Sequence, residues 1–226
     1  LNHVYLCLKA LLYIFYKIRL VYNNRMDEKI TIRKGSHYDA KDFADLIILS
    51  APSFLPTLYG NKVKTILVNL FVKGNNLFGF HHTYFAKTGH KKAGMILGYD
   101  WQLKKQEDLQ TGLLLLKNMG VDFFKRLYSF LNAKKIVGWV CEKEYYISNV
   151  AVFPKYRGMG LGTRLIDLAE KEAKQCGANR LSLDVETENI NAINLYKKSG
   201  FTIAKKSSTK LYRQFFKFYR MYKELK

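Results

Sequence analysis

Acidic residues are scarce in this chain: 18 Asp and Glu stand against 38 Lys and Arg, a formal net charge of +20. That imbalance points to an anionic partner, either a polyanion or an anionic cofactor set in a generally solubilising charge. Both ends are basic and aromatic. Cysteine is nearly absent too, with Cys7, Cys141 and Cys176 the whole complement. An odd number without paired spacing excludes a disulfide framework and a cysteine zinc site, and fits a reducing, cytoplasmic setting. Prolines number only 3. Pro52 and Pro56 bound a short link and Pro154 ends a strand, and there is no repeat or low-complexity tract.

A long uninterrupted apolar run is also missing. Val4 to Tyr22 comes nearest, but Lys9, Lys17 and Arg19 make a spanning helix costly. No small-residue cleavage site follows, which excludes a secretory signal. Two readings stay open for residues 1–25. One is an interfacial helix making peripheral membrane contact through residues 4–22; the other is an apolar, basic extension ahead of Met26-Asp27-Glu28. Residues 26–226 then form a single domain. With 48% hydrophobic and 15% aromatic residues, the chain is neither disordered nor short of core.

The periodicity gives a mixed order of elements. Lys29–Lys34 alternates as a first strand, followed by helical spacing over Tyr38–Leu49 and about Leu58–Val72. Leu77–Ala86 and Lys92–Trp101 read as a hairpin around the polar break at Lys87–Lys91. His81 and His82 would then face opposite sides of a strand, so no metal site is expected. Residues 102–134 read as two helices punctuated by Gly120. Ile136–Cys141 would extend or pair beside the central strand, and Phe201–Lys205 with Phe216–Tyr222 would close the sheet.

The most informative stretch is Tyr145–Ile166. A β-branched and aromatic strand ends at Pro154, then a basic loop with glycines at 158, 160 and 162 leads into a helix. Glycine lets the backbone approach a ligand, and a helix start offers unpaired N–H groups and a positive dipole end. The loop therefore suits an anion, with the Arg157 fork at its entrance. No Lys-Ser or Lys-Thr pair follows the last glycine, so it is not a P-loop. The alternating glycines do not fit a dinucleotide fingerprint.

The spacing Arg157-x-x-Gly160-x-Gly162 resembles the acyl-CoA loop of the GNAT superfamily of N-acetyltransferases. A second cluster resembles the other half of that signature: Leu183-x-Val185, then Asn189-x-x-Ala192-x-x-Leu195-Tyr196-x-x-x-Gly200-Phe201. The resemblance implies an α/β (α+β) fold. Its central sheet would be mixed and mostly antiparallel, of about seven strands, splayed between the fourth and fifth and flanked by helices. The helices of 102–134 would be an insertion before the fourth strand, either a lid, an interface or a packed decoration.

It also implies acetyl-CoA as co-substrate and an amine-bearing acceptor, small molecule or protein, acetylated directly in a ternary complex. Backbone groups of Val150, Ala151 and Val152 would hold the pantetheine arm and polarise the thioester. The pyrophosphate would rest on the N–H groups of Arg157, Gly158, Met159, Gly160, Leu161 and Gly162. Thr163 would cap the helix or add a hydroxyl contact. Asn189 would bond the cofactor arm, its alternative being a helix N-cap. Tyr196 would protonate the departing sulfur.

The ammonium of the acceptor, with a pKa near ~10.4, must lose a proton before attack. Glu142, Asp100 and Glu144 are the acids near the fourth strand, and Glu144 is the first choice because it shares the parity of residues 146, 148 and 150. Other readings are a non-catalytic acyl-CoA-binding sensor and a basic nucleic-acid-associated module on the same fold. Oligomeric state, monomer or homodimer, is left open.

Overall fold

A computed structural model describes Tyr13 and residues 29–226; the expectations for residues 1–25 lie outside the described residues. Seven strands form one sheet: β1 (Ile30–Lys34), β2 (Thr83–Thr88), β3 (Lys91–Asp100), β4 (Glu144–Val152), β5 (Arg180–Glu186), β6 (Thr202–Leu211) and β7 (Gln214–Glu224). Their spatial order is β1-β2-β3-β4-β5-β7-β6. Every pairing is antiparallel except that of β4 with β5. That pairing is short, running only from Glu144 opposite Arg180 to Ile147 opposite Leu183. Beyond Ile147 the two strands part.

Helices cover both faces. On one lie α1 (Ala40–Ser50), α2 (Phe54–Tyr59) and α3 (Val63–Lys73). Phe43, Leu46 and Ile47 of α1 meet Leu67, Leu70 and Phe71 of α3 in a water-free layer. Phe43 and Phe71 stack with ring centroids 4.2 Å apart. On the other face α6 (Leu161–Gln175) buries Leu165, Ile166, Ala169 and Ala173 against Ile147, Leu181 and Leu183. Each large apolar side chain so buried is worth about 2 kcal/mol relative to exposure, which fixes the helices on the sheet. α7 (Ile190–Lys198) follows β5.

The insertion is helical as expected, as α4 (Trp101–Met119) and α5 (Val121–Lys134). Asp100 ends β3 and caps α4, its side chain accepting from the N–H groups of Gln102 and Leu103. It is thereby engaged as a cap.

Three expectations change. The strand placed at Leu77–Ala86 starts only at Thr83, because residues 80–82 make a 3-10 turn. Buried Asn76 holds the preceding loop, donating to the carbonyls of Leu70 and Gly74 and accepting from the N–H of Phe78. Ile136–Cys141 does not join the sheet. Gly138 there has φ +77°, and its N–H goes to Asp184 rather than to a strand. The closing hairpin, β6 with β7, is longer than the pattern suggested. Among the described residues no helix is long and apolar enough to cross a membrane.

Candidate active site

β4 carries the feature that shapes the site. Leu97 of β3 lies opposite Asn149, and the next residue, Gly98, lies opposite Ile147. Ser148 is therefore an extra residue, a β-bulge, and it shifts which side chains face which way. Tyr145 and Ile147 point to the α6 face, and after the bulge so do Val150 and Val152. Ala151 packs on the α1 face. Strict alternation through 144, 146, 148 and 150 thus fails at Ser148. The bulge is pinned by side chains: Ser148 donates to Asn149 Oδ1 (2.8 Å), and Asn149 donates to Ser50 at the end of α1 (2.7 Å).

Past the bulge, the β4 edge that faces β5 has no strand partner. Apart from the Val152 carbonyl, which accepts from Arg157, backbone groups on that edge have no strand partner among the described residues and could bond an extended guest. At the far end of β4 the loop turns into α6 through Gly158 (φ +82°) and Gly160 (φ +72°), and a Cβ at either would meet nothing within 4 Å. Left-handed backbone, rather than crowding, accounts for these two glycines. Gly160 is the N-cap of α6 and makes no side-chain cap bond. Thr163, expected as a possible cap, lies in the exposed first turn instead. Gly162 has a different reason: a Cβ there would sit 2.8 Å from Leu195 of α7, so it sets the approach of two helices. Leu161 is buried, Met159 packs against the α6 core, and Arg157 is exposed with Nε donating to the Val152 carbonyl (3.3 Å).

The parted strands open into a cavity of about 380 Å³. Its floor is Tyr146, Ser148, Asn149 and Val150 of β4 with Asp184, Val185 and Glu186 of β5. Asn189 and Tyr196 stand at one side, and α2, α4 and α5 form the walls and roof. The insertion is thus part of the site's wall. Asn189 caps α7, accepting from the Ala192 N–H (3.2 Å), so its N-cap reading holds while its side chain also lines the cavity. Tyr196 is buried and its hydroxyl makes no hydrogen bond among the described residues; burial pushes its pKa up to about 12.

Glu144 lies elsewhere. It is 2% exposed at the start of β4, away from the cavity. Its carboxylate takes bonds from Arg220 (3.2 Å), Arg180 (3.4 Å), Ser182 (3.2 Å) and the Cys141 N–H (3.2 Å). These contacts lock it into an ion-pair cluster joining β4, β5 and β7.

Among the described residues three carboxylates line the cavity, Asp108, Asp184 and Glu186, and Asp184 sits where β4 and β5 part. Its side chain is 3% exposed. Oδ2 accepts from Tyr146 (3.0 Å), Arg220 (2.9 Å) and the Gly138 N–H (2.9 Å), while Oδ1 is buried without a partner among the described residues. Burial pushes its pKa above the ordinary carboxylate range, although Arg220 opposes the shift. Glu186, two residues on along the same face, also has a buried, unpartnered oxygen, and burial raises its pKa likewise. The available sequence signal for Asp184 was an acid flanked by Leu183 and Val185 within the strand.

The chain thus has a glycine-rich strand-loop-helix turn, a parted parallel strand pair, and a cavity lined by Asp184 and Tyr196. Residues 77–201, more than half of the chain, match the Acetyltransferase (GNAT) family, and the chain belongs to that family. It is similar to an N-alpha-acetyltransferase of Sulfurisphaera tokodaii, at 37% identity over 75 residues, 33% of this chain and 44% of that protein. The curated relatives are matched over well under two thirds of their length, 41% and 44% for two of them. Among solved structures, an N-acetyltransferase from Staphylococcus aureus Mu50 aligns with a TM-score of 0.65 and 22% identity, covering 85% of this chain and 99% of that one. The ribosomal-protein-S18-alanine N-acetyltransferase from Escherichia coli aligns with a TM-score of 0.53 and 16% identity, covering 87% and 94%. These two likenesses bear on the fold alone.

Proposed function

We propose that this protein is an acetyl-CoA-dependent N-acetyltransferase that transfers the acetyl group directly to a primary amine in a ternary complex. The observation that carries this reading is the placement of Asp184 and Tyr196 on one cavity at the parting of β4 and β5. The pantetheine arm would bond the free edge of β4 at Val150 to Val152. The pyrophosphate would rest on N–H groups of the loop from Arg157 to Gly162 and of the first turn of α6. An N–H near Val150 and Ala151 would take the charge that develops on the thioester oxygen.

Asp184, rather than Glu144, is the group we assign as proton acceptor. Asp184 lines the cavity with its Oδ1 uncommitted, and its raised pKa brings it nearer to that of the ammonium it must deprotonate. The neutral amine attacks the thioester carbon. Collapse of the tetrahedral adduct breaks the carbon–sulfur bond, and Tyr196 supplies the proton that the thiolate takes. With a pKa near 12 the phenol is protonated throughout the neutral range.

The test is calorimetric titration with acetyl-CoA of the wild type and of Gly160→Val. Binding by the wild type and its loss in the variant are expected, since a β-branched residue cannot adopt the φ of +72° found at that position without strain. A folded wild type that binds no acetyl-CoA overturns the reading.

A further inference from the structure

Gly112 has no local reason to be glycine. It lies inside α4, where glycine weakens a helix relative to alanine. Its φ is not in the left-handed region, and a Cβ built on it would meet nothing within 4 Å. Neither backbone conformation nor close packing requires it. It does line the cavity, on the helix face shared with Asp108, Thr111 and Leu115. A side chain there would occupy open cavity.

The rest of the roof is fastened down. Glu107 of α4 pairs with His82 (2.7 Å), and Asn118 at its far end bonds Asn69 of α3 (2.8 Å). In α5, Arg126 donates to the Thr57 carbonyl (2.9 Å) and lies over the ring of Tyr212. Lys134 reaches back to Asp108 of α4 (2.5 Å). A roof tied to α2, α3, β6–β7 and itself is a fixed wall. What it offers is mainly apolar and aromatic, through Leu115, Phe123 and Phe130 with Phe54 and Tyr59, while its charged lining groups Lys104, Asp108 and Lys134 pair with one another. A polypeptide acceptor would bring an N–H and a C=O per residue, and these helix faces have no backbone groups to meet them. At about 380 Å³ the space suits a small molecule.

The polar end of the cavity is its floor, where Asp184 Oδ1 and Glu186 Oε1 are buried with no partner among the described residues. Two such oxygens call for a cation. A net charge of +20 nevertheless repels multiply charged cations at long range. We infer that the acceptor is a compact monoamine with an apolar, arylalkyl-type body. Its ammonium is held at Asp184 and Glu186, its body lies beneath α4, and Gly112 sets the size limit. This rests on the acetyl-transfer reading.

Three probes separate the possibilities: 2-phenylethylamine, spermidine and an alanine-initiated tetrapeptide, each followed by thiol release from acetyl-CoA. The expected kcat/KM for 2-phenylethylamine exceeds both others by about tenfold or more. Gly112→Leu is expected to lower that value about tenfold or more while acetyl-CoA affinity stays within about twofold. Gly112→Ala, which only strengthens the helix, controls for stability. Preference for the peptide or spermidine overturns the inference, as does absence of 2-phenylethylamine turnover in a protein that binds acetyl-CoA, or an unchanged Gly112→Leu. Failure to bind acetyl-CoA would instead remove the reading on which it rests.

Discussion

Tyr146 donates its hydroxyl to Asp184 at 3.0 Å, from β4 to β5, one residue beyond the last residue of β5 that pairs with β4. The bond ties the two strands together at the point where their backbones stop doing so. It also leaves one Asp184 oxygen committed and one free.

Asp184→Asn keeps the shape and the acceptor for Tyr146 but removes the base. We expect kcat/KM for amine transfer to fall by roughly 10²–10⁴-fold with acetyl-CoA affinity nearly unchanged. In the wild type, activity rises with pH as Asp184 loses its proton. Because burial raises its pKa, that acid limb lies above the usual carboxylate range. The limb should vanish from the pH–rate profile of the variant. A profile of unchanged shape would exclude Asp184 as the base.

Tyr196→Phe tests the acid. Among the described residues the hydroxyl makes no hydrogen bond, so its loss should leave the melting temperature almost unmoved while kcat drops roughly 10²-fold. Since the phenol is held near 12, the wild-type profile should show no alkaline fall assignable to Tyr196 up to about pH 10. A fall near neutrality that disappears in the variant would contradict this assignment.

Glu144→Gln separates architecture from chemistry. The change leaves Arg220 and Arg180 short of a counter-charge in a site only 2% exposed at Glu144. Because Arg180 is 38% exposed and Arg220 retains Asp184, the loss should be on the order of 2–3 kcal/mol in urea unfolding. Turnover by the folded fraction should survive. A kcat loss of roughly 10²-fold without destabilisation would return Glu144 to the reaction.

Asp39 marks where acid should loosen the fold. Burial alone would raise its pKa, but hydrogen bonds from Arg33, Lys92 and Ser36 outweigh that and hold the carboxyl well below the ordinary range. A depressed carboxyl stabilises the fold fully above its unfolded value, near ~3.9, and loses that contribution as pH falls towards the folded value. The stability gap between wild type and Asp39→Asn should be widest near pH 7 and shrink below about pH 4. A gap independent of pH would show that packing, and not charge, is at stake.

Local features were legible in the sequence. The loop of Gly158 and Gly160 and the run from Asn189 to Tyr196 each announce themselves within a few residues, as does the helical nature of 102–134. The bulge at Ser148 could not be read that way, since an extra residue in β4 exists only relative to β3. The parity that Glu144 shares with Tyr146 therefore does not carry on to Val150. The actual partners of Glu144, Arg180 and Arg220, come from two later strands. The strand expected at Ile136–Cys141 failed for the same reason: the Gly138 N–H and the Trp139 carbonyl are claimed by Asp184 and Arg220.

Residues 101–134 are joined to the rest of the molecule by side chains, and no strand of the sheet belongs to them. The half that would grip the cofactor is built from sheet edge and helix start, and shares little with that roof. Acceptor choice can then drift, or be redesigned, by exchanging one two-helix cassette while the acyl-handling machinery stays untouched.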